Sequence, residues 1–114
     1  MLTTEHRLTD AATFRLVSRT GRRSASRTLV VHLALTDLPG PRVGFVVSKA
    51  VGNAVVRNRV KRRLRHLVRE QLGSLPASGA LVVRAMPAAG TASAAELAAD
   101  LDRCLGRLLP RDAA

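Results

Sequence analysis

Between Arg57 and Arg69 the sequence sets seven basic side chains: Arg57, Arg59, Lys61, Arg62, Arg63, Arg65 and Arg69. Their chemistry is that of cations that hold anions. Arginine presents a planar fork of donors that matches the oxygens of a phosphate. Apolar residues recur among them at helical spacing: Val56, Val60, Leu64, Leu67 and Val68. At about 100° per residue these five share one arc. Arg59, Arg62, Arg63, Arg65, His66 and Arg69 share the opposite arc with Asn58. Arg57 and Lys61 fall at the margin, where long stems lie along apolar surface and keep the charge in solvent. One face is built to dock on a core, the other to meet many negative charges. Solvated helices usually mix signs, because opposite charges at i, i+4 stabilise them. Here Glu70 is the only acid between Asp37 and Glu96. Like charges this crowded repel one another, which a polyanion would relieve.

Bond-breaking chemistry has little to work with. A metal-dependent nuclease needs clustered carboxylates to hold its cations. The eight acids, Glu5, Asp10, Asp37, Glu70, Glu96, Asp100, Asp102 and Asp112, are scattered, and the basic stretch is poor in them. His6, His32 and His66 lack zinc spacing. Two histidines can cleave RNA by acid–base catalysis, and sequence alone leaves His6 and His32 free to meet in space. Gly52 stands apart from any glycine-rich phosphate loop, and the single cysteine, Cys104, rules out a disulfide framework within the chain.

The elements that must carry the cations follow from composition and pattern. A chain of 114 residues with 46% hydrophobic content reads as one folded domain. The net charge of +11 is uneven. Residues 1–71 hold 15 basic and 4 acidic side chains, and residues 72–114 hold 4 of each. The binding surface therefore belongs to the first two-thirds. No secretory signal is evident and no apolar run approaches the ~20 residues that span a bilayer, so a cytoplasmic protein without a membrane partner is expected.

In chain order, residues 1–8 form a loose lead-in. Thr9-Asp10 can cap a helix over about 10–19, with Phe14 and Val17 on one side. Core packing is the plainer reading of Phe14. Residues 19–27 read as a basic connector turning at Gly21. Thr28–Thr36 alternates as a strand, with Leu29, Val31, Leu33 and Leu35 against Val30, His32 and Ala34. Asp37–Pro41 signals a turn, and 42–47 is the next strand, so a five-residue connection suggests an antiparallel hairpin. Gly52 breaks the chain and Asn53 caps the basic helix. That helix ends near Gly73, a glycine suited to the residue after a helix C-terminus. Residues 80–85 form a buried strand. Thr91 or Ser93 starts a last helix with Glu96 in its first turn and Leu97, Leu101, Cys104, Leu105 and Leu108 inward. The order α-β-β-α-β-α is an α+β sandwich, helices on a small central sheet.

The stretch GNAVVRNRVKRRLR, with Ser48-Lys49 before it and the spacing of Lys61, Arg62 and Arg65 within it, resembles the Arg-Asn-Arg signature of the bacterial ribonuclease P protein component. The likeness extends to Arg7-Leu8, Phe14-x-x-Val17, Gly21, Arg42-Val43-Gly44 and the strand ending near Pro87. It implies the protein subunit of a ribonucleoprotein that removes the 5′ leader from precursor tRNA. The RNA subunit, with Mg²⁺, would carry the catalytic site, and the protein itself would bind no cofactor and need no protein partner. It implies that Lys49, Asn53, Arg57, Asn58, Arg59, Lys61, Arg62, Arg65 and Arg69 contact the RNA subunit. A cleft between the first helix and the sheet would take the leader, with Phe14, Arg15, Ser18, Val30, His32, Arg42 and Val47 around it. It also implies a left-handed crossover carrying the basic helix between parallel strands, against the general right-handed rule. Ser18 and His32 stand where relatives often carry aromatics, so leader contact leans on shape and charge.

Other functions compete with this one. A ribosomal-type RNA-binding protein would share the basic helix. A helix-turn-helix regulator needs a partner helix a short turn earlier, where residues 42–47 read as strand. A self-sufficient ribonuclease would need the catalytic side chains that the sequence scatters.

Overall fold

The computed structural model describes residues 11–36 and 40–109, apart from the side chains of residues 11, 13, 14 and 20. The elements are α1 (Ala11–Thr20), β1 (Arg22–Ala25), β2 (Leu29–Leu35), β3 (Arg42–Val46), α2 (Ala54–Gln71), β4 (Gly79–Ala85) and α3 (Ala94–Leu108). The fold is α+β, with four strands and three helices in one unit, and gains one strand over the expected order. The Thr9-Asp10 cap and the lead-in lie outside the described residues.

The sheet runs β1-β2-β4-β3. β2 and β3 therefore do not form the expected hairpin. β4 lies between them, antiparallel to β2 with His32 opposite Val82, and parallel to β3 with Gly44 opposite Val82. A strand at the centre of a sheet is covered on both faces and must be apolar on both. Ala80-Leu81-Val82-Val83 meets that demand, each residue being fully buried. Parallel pairing of β3 with β4 needs a long crossover, and the 18 residues of α2 supply it.

The main core lies on one face of the sheet. Leu29, Val31, Leu33, Val43, Leu81 and Val83 meet Val60, Leu64 and Val68 of α2 and Leu97, Leu101, Cys104, Leu105 and Leu108 of α3. Cys104 is a core residue, fully buried, as its place in the stripe suggested. On the other face α1 sets Val17 against Ala80 and Val82, beside Ala34 and Val46.

Residues 22–25, expected as a connector, form an edge strand instead. Its own sequence, Arg-Arg-Ser-Ala, favours a strand weakly. It is held by α3, where Arg107 Nη1 donates to the Ala25 carbonyl (3.2 Å) and Arg22 Nη1 to the Leu108 carbonyl (3.2 Å). A short, charged edge also discourages pairing with another chain.

The helix starts and stops are local. Asn53 Oδ1 accepts from the Val56 N–H (3.0 Å), capping α2 as expected. Ser93 and Glu96 close a capping box on α3. Gly73 does not adopt the left-handed conformation expected of it. α2 passes into a 3₁₀ turn over Leu72–Ser74, and Leu72 is right-handed helical. Among the described residues no helix is long and apolar enough to cross a membrane.

Candidate nucleic-acid interface

The side chains of α2 point in three directions, and its cations in two of them. Val60, Leu64 and Val68 point into the core. Asn58, Lys61, Arg62 and Arg65 line an open depression of about 500 Å³ with Val55. Arg69 continues that stripe one turn on and is exposed. The remaining flank faces the segment before α3. There Arg59 Nη2 donates to the Gly90 carbonyl (3.0 Å) and Arg63 Nη1 to the Ala92 carbonyl (3.2 Å).

Arg59 is thus a correction to the expected outward arc. Its guanidinium is turned back onto the protein, its exposure is intermediate, and its Nε is buried without a partner. Arg63 departs from that arc in the same way, and only the segment before α3, with its turn at Pro87–Gly90 and its carbonyls at Gly90 and Ala92, decides that both arginines turn there. The approach is close. A Cβ added at Gly90 would lie 2.2 Å from the Val51 carbonyl oxygen, so only glycine lets the turn sit against the entry to α2. Arg57 is half-buried, with its Nε also enclosed and unpartnered.

The entry to α2 is built by Lys49–Val51, a 3₁₀ turn, then Gly52 and the Asn53 cap. Lys49 is exposed there. The first turn of α2 contains no acid, so the positive end of the helix dipole adds to the field of the cations. Each acid of the described residues has a partner, and the one on α2, Glu70, lies in its last turn. Glu70 pairs with His66 (3.0 Å), Asp102 accepts from Gln71 (2.9 Å), Glu96 meets Arg27 and caps α3, and Asp100 accepts from Thr28. Hydrogen bonds from the Thr28 side chain, then its backbone N–H, hold the Asp100 carboxyl below its ordinary range, and Arg103 adds to this against the opposing effect of burial.

The sheet face under α1 holds most of the second expected set. Arg15 is exposed and Ser18 half-buried on α1. Val30, His32 and Arg42 share the α1 side of the sheet by register with Arg84, Val82 and Ala80. Phe14 belongs to α1, but its side chain lies outside the described residues. Val47 does not join this face. It belongs with Val43 to the main core on the opposite side, because side chains alternate along a strand. Val46 takes the place expected of it.

His32 is 7% exposed and its Nδ1 is enclosed without a hydrogen-bond partner. Burial lowers its pKa from the ordinary imidazole value, and Arg84 and Arg23 lower it further. Those two arginines are the residues that sequence reasoning missed. Arg23 stands opposite His32 across β1 and β2, and Arg84 opposite Val30 across β2 and β4. Their membership of this face depends on strand pairing, which no local signal announced.

By fold and charge this is a small α+β domain with one strongly cationic helix face. A family model described as Ribonuclease P matches residues 2–109. The chain is 62% identical over 111 residues to the ribonuclease P protein component of Nocardioides sp. (strain JS614), covering 95% of each chain, and 56% identical over 110 residues to that of Acidothermus cellulolyticus, covering 95% of this chain and 92% of the other. A structure of Staphylococcus aureus RNase P protein matches the fold with a TM-score of 0.82 at 25% identity, over 92% of this chain and 98% of that one. The chain belongs to the ribonuclease P protein component family.

Proposed function

We propose that this chain is the protein subunit of a ribonuclease P ribonucleoprotein that removes the 5′ leader from precursor tRNA. Its partner is the RNA subunit, which with Mg²⁺ carries out the hydrolysis. The observation that carries this reading is the outward stripe of Asn58, Lys61, Arg62, Arg65 and Arg69 on α2, free of acids and aimed away from the core. Each phosphate it neutralises releases a condensed counterion, so binding draws its strength from the RNA backbone. Lys49 and the α2 N-terminus extend the same field. Asn53 contributes by fixing where the helix begins, Arg57 from its margin, and Arg59 by holding α2 to the turn before α3.

The α1 side of the sheet fits the single-stranded leader. Arg15, Ser18, Val30, His32 and Arg42 face or border it, Arg23 and Arg84 add charge, and Phe14 is assigned there by resemblance. With imidazole in place of a larger ring at 32, the leader is held more by charge than by base stacking. Val47 is withdrawn from this set because it belongs to the core.

The test is reconstitution. Purified protein free of RNA is added to precursor tRNA with Mg²⁺, with and without the RNA subunit. The expected result is single-site cleavage only when the RNA subunit is present, and faster or at lower Mg²⁺ with the protein than without it. Single-site cleavage by the protein alone, or no effect of the protein on the RNA-catalysed reaction, would overturn the reading. In the second case a ribosomal-type RNA-binding role takes its place.

A further inference from the structure

Val55 stands on the outward side of α2 with 73% of its surface exposed. A single exposed valine is ordinary on a protein surface. This one borders the depression lined by Asn58, Lys61, Arg62 and Arg65. The depression is open to solvent, and its walls are side chains of one helix face. Asn58, one turn beyond Val55 and also exposed, is the other uncharged residue of that lining, and its amide offers donors and an acceptor together. Phosphate binding by the cations requires neither residue. β-branched valine is also a poorer helix former than alanine, and at this exposure it gains little from the core in return.

We infer that Val55 and Asn58 receive one unpaired nucleotide of the RNA that α2 binds. The base lies against the Val55 methyl groups, the Asn58 amide hydrogen-bonds to the base edge, and Lys61, Arg62 and Arg65 hold the phosphates on either side. An A-form duplex stacks its bases and presents mainly phosphates and 2′-hydroxyls, so the occupant is a nucleotide in a loop, bulge or junction. The inference rests on the reading of α2 as the RNA-subunit contact, and adds that part of the contact is to a base.

Base contacts release no counterions, whereas phosphate contacts do. Salt dependence therefore separates the two. Affinity of the full chain for the RNA subunit is measured over a range of monovalent salt for wild type, Val55→Ala, Asn58→Ala and Arg62→Ala. Val55→Ala raises helix propensity, so a loss of affinity in that variant cannot come from a weakened helix, and thermal unfolding checks this directly. Val55→Ala and Asn58→Ala are each expected to weaken binding about tenfold at every salt concentration with the slope unchanged. Arg62→Ala is expected to flatten the slope by about 0.7–0.9. Binding to a fully paired RNA of similar length is expected to be the same for wild type, Val55→Ala and Asn58→Ala. Full affinity in both Val55→Ala and Asn58→Ala, or an equal loss on the paired RNA, would overturn the inference while leaving the α2 assignment standing. An unchanged slope in Arg62→Ala would remove the assignment itself, and the inference with it.

Discussion

Two arginines three residues apart on α2 do different work. Arg62 lines the outward depression, and Arg59 donates to the Gly90 carbonyl. Arg62→Ala should leave the unfolding midpoint unchanged or slightly raised, since it removes a repulsive charge. Arg59→Ala breaks a partly buried, charge-assisted hydrogen bond and should cost about 1–2 kcal/mol, with Arg63→Ala behaving alike through Ala92. Urea titration of the three variants reads this directly, and equal stability of all three would show that the inward contacts contribute nothing. His32 sets a pH dependence. Its pKa is lowered in the folded state, so as pH falls through the ordinary imidazole value the unfolded chain takes up a proton that the folded chain resists. Stability should therefore fall as pH drops through about 6.5, and His32→Gln should lose less there in thermal unfolding. Asp100 works in the other range. Its carboxylate is favoured in the folded state, so its contribution is present above the ordinary carboxylate value and disappears as pH falls through the lower folded one.

At the scale of the element, α2 is useful only if its entry is fixed. Gly52 has φ 156° and ψ −168°, a region essentially confined to glycine. A Cβ there would stand 2.8 Å from Val56 Cγ1, on the first turn of the helix. Gly52→Ala should cost about 1–3 kcal/mol by the backbone strain alone. It should also weaken RNA-subunit binding although no cation is lost, because the Asn53 cap and the first turn must shift together. Wild-type stability and affinity in that variant would show that the entry tolerates a different geometry. The α3 element depends on tertiary clasps as well as its capping box. Arg22, Arg107 and Thr28 tie β1 and the start of β2 to it through the Leu108 and Ala25 carbonyls and Asp100.

At the scale of the whole molecule, the last strand in sequence is central in space. β4 pairs with both β2 and β3, so neither has its sheet partner on that side until residues 79–85 arrive. A chain ending at Ser78 would leave those strands unpaired and the faces of α2 and α1 without their shared floor. Such a fragment should show no cooperative thermal transition by circular dichroism, and no RNA-subunit binding with the wild-type salt slope beyond that of a basic peptide. A folded 1–78 fragment would contradict the central role of β4. The same topology predicts the slowest amide exchange in β4 and faster exchange at the β1 edge.

The sequence by itself determined the elements whose signals are local. The 3.6-residue recurrence of Val56, Val60, Leu64 and Val68 marked α2 and its buried arc, Asn53 and Ser93 marked caps, and the stripe from Leu97 to Leu108 placed Cys104 in the core. The acid-free run of cations also marked the outward face, because like charges gathered on one helix need no partner in the fold to be seen. What only the tertiary structure decided depends on which segments meet. A five-residue connection between β2 and β3 suits a hairpin, yet β4 is apolar on both faces and takes the place between them. β1 is a strand because α3 supplies partners to a segment with little propensity of its own. Arg59 turns inward because a carbonyl at Gly90 lies within its reach, and Arg23 and Arg84 join His32 because strand register brings them there. In each case the deciding partner is distant in sequence, and side-chain pattern does not name it.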